Sequence, residues 1–62
     1  MAVVRVDVDL DGAEAWGLAQ FIKRVGWSEL RANAEDDEQA YAMRDALNRL
    51  REALEQAGYA PR

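Results

Sequence analysis

The amino-acid sequence predicts a small α+β domain: one N-terminal strand, then two main helices with a short helix between them (β-α-(α)-α), the strand paired across a homodimer. Three observations predict it. Apolar and charged residues alternate from Val4 to Leu10, the period of a half-buried strand. Apolar residues recur at three- and four-residue spacing in two later stretches, the period of a helix. The rest of the chain holds no second alternating run, so a lone strand would leave its backbone N–H and C=O groups unpaired on both edges. A second copy related by a two-fold axis is the simplest mate.

The strand is read from Met1 to Leu10. Val4, Val6, Val8 and Leu10 form one face and Arg5, Asp7 and Asp9 the other, and β-branched valines favour the extended state. Val4, Arg5, Val6, Asp7 and Val8 are the candidate pairing residues of the dimer. The alternative is a frayed arm, or a segment paired with an irregular loop.

Asp11 opens the first helix. With Glu14 it matches a capping box, in which two side-chain oxygens satisfy free N–H groups at the helix start. The helix is expected to run to about Val25, with Gly26 as its cap. Ala15, Leu18, Ala19, Ile22 and Val25 share a face, with Phe21 at its rim. Gly17, a poor helix residue, leaves room for close approach of another backbone. Trp16 lies beyond Ala19, on the side of Gln20 and Lys23. It either covers the edge of its own core or serves as an aromatic anchor at an interface.

Trp27 to Ala34 is short and mixed. Ser28 suits the cap of one or two turns holding Leu30, with Trp27 before it as a hydrophobic staple. The alternative is a wide connection plugged by Trp27 and Leu30. The acidic run Glu35, Asp36, Asp37, Glu38 lacks the alternating oxygens and central glycine of a calcium loop. It suits the positive end of the following helix instead, with Asp36 and Gln39 as a capping box.

The last helix is the strongest signal. Ala40, Met43, Leu47, Leu50, Leu54 and Ala57 recur at helical spacing from about Asp37 to Ala57, a length of ~31 Å at 1.5 Å per residue. Asp45 with Arg49, and Arg51 with Glu55, are i,i+4 ion pairs on the outer arc. Ala42, Ala46 and Ala53 make a small-residue stripe. Tyr41 projects away from the apolar centre, beside Arg44, Asp45 and Asn48, as an exposed ring or part of a recognition patch. Gly58 ends the helix, Pro61 prevents its resumption, and Tyr59 is expected to fold back on the last turn. The expected core is Val4, Val6, Val8, Leu18, Ile22, Val25, Leu30, Met43, Leu47, Leu50 and Leu54.

At 62 residues the chain is one small domain. A domain of this size buries only roughly 60% of its unfolded surface. The absence of cysteine and histidine excludes disulfides and makes a structural zinc site improbable. Stability must come from helix packing or a partner subunit. The same absence excludes Cys–His pairs, Ser–His–Asp relays and the usual metal triads. Carboxylates remain, but they sit at helix starts or on strand positions, and no glycine-rich phosphate loop is present. A non-enzymatic protein with no cofactor and no metal is the expectation. Eight Lys/Arg against twelve Asp/Glu leave a net charge of −4, which disfavours nucleic acid and anionic membrane. With no membrane span and no signal peptide, a cytoplasmic location is expected.

Two resemblances bear on function. A strand followed by helices, dimerised through the strand, resembles the ribbon-helix-helix repressors and antitoxins, whose outward strand residues enter the major groove. The matching residues here are Arg5, Asp7 and Asp9, and two carboxylates facing phosphate oppose that role. About ten residues also separate Val25 from Asp36, where that family has a short turn.

The second resemblance rests on Glu14-Ala15-Trp16, Phe21-Ile22-Lys23-Arg24-Val25-Gly26-Trp27-Ser28, Arg31-Ala32-Asn33-Ala34 and Ala57-Gly58-Tyr59-Ala60-Pro61-Arg62. These segments resemble a group of small uncharacterised proteins of proteobacteria and their phages or mobile elements. The resemblance implies an accessory protein of unknown role, such as a phage-encoded inhibitor of a host defence complex. An acidic surface formed by Asp7, Asp9, Asp11 and Glu35–Glu38 would then occupy a basic groove on the partner. The reading reached is a homodimeric protein-interaction module, with Trp16, Gln20, Lys23 and Tyr41 as one contact surface and Asp7 and Asp9 as a second. The alternative is a ribbon-helix-helix-like DNA-binding dimer or antitoxin.

Overall fold

The computed structural model describes residues 2–61. Three helices follow one another: α1 (Gly12–Arg24), α2 (Trp27–Ala32) and α3 (Asp37–Gln56). Both α1 and α2 pack on α3, which is the spine of the fold.

Each helix start is set by local chemistry. At α1 the Glu14 N–H donates to Asp11 Oδ1 (2.8 Å) and the Asp11 N–H donates to Glu14 Oε1 (3.0 Å), the reciprocal box its spacing predicts. At α2 the cap is Gly26, whose N–H donates to Glu29 Oε1 at 3.1 Å. Gly26 therefore starts α2 rather than capping α1. Ser28 lies inside the helix, and Trp27 is its first residue. At α3 the Gln39 N–H donates to Asp36 Oδ1 (2.8 Å), while the Gln39 side chain accepts from the Glu35 N–H (2.7 Å). The acidic run is thus built into a helix start. Arg31 ties it to α2, with Nε 2.6 Å from Asp37 Oδ1 and Nη1 donating to the Ala34 carbonyl.

The end of α3 has one backbone requirement. Gly58 sits at φ +96°, and the chain folds back so that the Tyr59 N–H donates to the Leu54 carbonyl (2.8 Å) and the Gly58 N–H to the Glu55 carbonyl (3.0 Å). Only glycine adopts that φ without strain. Tyr59 returns to the core, as its position after the cap predicts.

The predicted α+β class is wrong. No strand occurs among the described residues, and the fold is all-helical. Residues 2–10 are an arm without regular secondary structure and with no backbone–backbone hydrogen bond among the described residues. Met1 of the predicted strand lies outside them, as does Arg62 of the last segment carrying the second resemblance. Alternation of side chains permits a strand, but only a ladder partner makes one, and the described residues offer none. The β-α-(α)-α reading and its strand pairing across a homodimer are withdrawn. The ribbon-helix-helix resemblance loses the element on which it rested.

The core is correspondingly smaller than predicted. Ala15, Ala19, Ile22, Ala40 and Leu54 are buried; Leu18, Val25, Leu30, Met43 and Leu47 are half-buried. Val4, Val6, Val8 and Leu50, expected inside, are exposed. Ala15, Ala19 and Ile22 of α1 cluster with Leu54 of α3, and Leu18, Leu47 and Tyr59 pack against them. Gly17 shows no close approach of another backbone: a Cβ built there meets nothing within 4 Å. Arg51 and Glu55 pair at 3.8 Å as predicted, but Asp45 turns to Arg44 (3.2 Å) instead of Arg49.

Candidate protein-binding surface

The arm runs alongside the second half of α3. Val4 and Val6 face Ala46, Arg49 and Leu50 across an open cleft of about 450 Å³. Val6, Val8 and Leu10 face Leu18, Leu50, Ala53 and Leu54 across a second of about 240 Å³. Val8, Asp9 and Leu10 border a third with Ala15, Leu54, Ala57 and Tyr59. The walls of the first two clefts are almost wholly apolar. Their apolar groups nevertheless face solvent: Val3 is 95%, Val4 80%, Val6 74% and Val8 67% exposed. A fully buried valine or leucine contributes roughly 1.5–3 kcal/mol, and here most of that contribution is unrealised.

Two aromatic pairs mark the two ends of the helical body. Trp16, at the start of α1, meets Tyr59 edge-on at 5.2 Å between ring centroids, with a Cβ position at Gly12 3.5 Å from the Tyr59 hydroxyl. Trp27, at the start of α2, lies against Tyr41 at 4.7 Å, and the Arg44 guanidinium sits 5.0 Å from the Tyr41 ring centre. Trp, Tyr and Arg are the residue types most enriched in interface hot spots.

The predicted contact surface is therefore divided. Trp16, Gln20 and Lys23 lie on one exposed strip of α1, while Tyr41 stands at the far end beside Trp27. The sequence predicts Trp27 as a staple or plug; its partnership with Tyr41 crosses fourteen positions of sequence, beyond the reach of local pattern. The acidic groups are divided too. Asp11 and Asp36 are caps, Asp37 pairs with Arg31, and Asp7 pairs with Arg5 at 3.5 Å in full solvent. Asp9 and Glu38 have no ion pair among the described residues.

Among the described residues no group of carboxylates is placed to hold a metal ion, and no helix is long and apolar enough to cross a membrane. A family model, described as a family of unknown function (DUF7706), matches residues 1–62. The chain belongs to the DUF7706 family. No curated protein and no solved structure matches it. The DUF7706 chain presents an apolar arm and cleft on one side and a Trp27–Tyr41–Arg44 stack at one end.

Proposed function

We propose that this protein is a non-enzymatic protein-binding module that grips its partner with the N-terminal arm and the α1/α3 clefts beside it. One observation carries the reading: the large apolar side chains at Val3, Val4, Val6 and Val8 are outside, while the interior is mostly alanine. Contiguous apolar surface of this kind on a small protein marks an interaction site. The net charge of −4 favours a basic partner surface over nucleic acid. An accessory or inhibitory role toward a basic host protein is the form of this function that the charge supports.

Site-specific photo-crosslinking tests the reading. A photoreactive residue at Val6 is expected to crosslink to protein, and one at Gln20, on the outer strip of α1, is not. The double variant Val6→Glu/Val8→Glu is expected to lose the captured partner while its helical circular dichroism is unchanged. Equal crosslinking from both positions, or retention of the partner by the variant, would refute it.

A further inference from the structure

We infer that the occupant of the arm-and-α3 cleft is the arm of a second copy of this chain, seated reciprocally, with Asp9 of one copy against Arg49 of the other. This rests on the reading of the arm as an interaction element. Side-chain burial in the cleft, not a backbone ladder, holds the two copies together.

Area is sufficient for a second copy. Fully extended, the nine residues 2–10 span about 30 Å at roughly 3.3 Å per residue. A contact strip about one helix diameter wide, ~10 Å, then covers about 300 Å² on the arm and as much on the cleft. One arm seated in one cleft removes roughly 600 Å² in total, below the ~1,200 Å² at which stable specific interfaces begin. Two copies exchanging the contact remove twice that, about 1,200 Å². The reciprocal arrangement reaches the required size from this face alone.

Charge argues for the same occupant and gives the direction. Arg49 is the one charged residue on the wall shared with Val4 and Val6. It has no ion pair among the described residues, and neither has Asp9. Within one copy they flank opposite ends of the arm: Asp9 borders the cleft with Leu54 and Tyr59, Arg49 the cleft with Val4 and Val6. Three to five extended residues, roughly 10–17 Å, separate those ends. A second arm entering in the opposite direction across a two-fold axis brings its Asp9 to Arg49. The apolar alternation brings valines against Ala46, Leu50 and Ala53 at the same time.

Sedimentation equilibrium at micromolar concentration tests it. The wild-type chain is expected at twice its 7.0 kDa mass, and Val6→Glu/Val8→Glu at 7.0 kDa with unchanged helicity. Because those valines are outside the helical core, loss of the dimer in this variant does not report unfolding. Arg49→Glu and Asp9→Lys are each expected to weaken self-association through like charges. Mixed together, the two variants are expected to form a heterodimer, because both contacts in it join opposite charges.

A wild-type monomer whose external partner is still lost in Val6→Glu/Val8→Glu would overturn the second copy and leave the binding module standing. A wild-type monomer with the partner retained in that variant would overturn both. A dimer that survives Val6→Glu/Val8→Glu, or a mixture of Arg49→Glu and Asp9→Lys that forms no heterodimer, would overturn the proposed seat.

Discussion

Trp27 and Tyr41 stack at 4.7 Å between centroids with 41° between their planes, joining the first turn of α2 to the first turns of α3. The six-residue α2 has no fully buried residue, and this pair and the Arg31–Asp37 contact tie it to the spine beside half-buried Leu30. An isolated helix of that length would not persist in water.

A double-mutant cycle on Trp27→Ala and Tyr41→Ala is therefore expected to show coupling of about 1 kcal/mol in urea unfolding, within the range of aromatic pairs. Each single change should also release α2, seen as faster amide exchange at Glu29–Ala32. Additive effects would mean that the rings touch without supporting the helix.

The α1 cap gives a second expectation. Asp11→Ala removes the oxygen that accepts the Glu14 N–H, and a lost cap of this type destabilises by about 1 kcal/mol. In a domain this small that corresponds to a melting temperature lower by roughly 4–8 °C. Asp11→Asn keeps an accepting oxygen and should retain most of the stability.

Two glycines should respond in opposite directions to the same change. Gly58→Ala puts a Cβ on a residue at φ +96° and is expected to destabilise by about 1–2 kcal/mol. Gly17→Ala adds a methyl to open space inside α1 and is expected to stabilise by up to about 1 kcal/mol. Urea midpoints of the two variants, measured side by side, check the pair.

Trp16→Ala should expose Tyr59 and loosen the fold-back after α3. The expected readouts are a lower melting temperature and faster exchange at the Tyr59 amide, whose partner is the Leu54 carbonyl. An unchanged melting temperature, with lost partner binding, would make the ring an anchor for another protein instead.

What could be read in the sequence was what short-range chemistry decides. The box at Asp11/Glu14, the Asp36 cap on the Gln39 N–H, the stop at Gly58 and the Arg51–Glu55 pair all lie within five residues of their cause. The helical period of α3 was plain for the same reason. The errors were non-local. Val4, Val6 and Val8 have the right alternation for a strand, but a strand needs a mate, and periodicity does not supply one. Leu50 lies at a core spacing yet stays exposed, because no element of the chain covers that part of α3. Trp27 meeting Tyr41, and Asp45 choosing Arg44 over Arg49, depend on how helices and rotamers settle. No local pattern encodes either.

The alanine interior has a practical corollary. Truncation to alanine, the usual way to map which positions matter, is silent at Ala15, Ala19 and Ala40, since nothing is left there to remove. These buried positions would look dispensable in such a survey. Enlargement, one methylene at a time, is the probe that would reveal them.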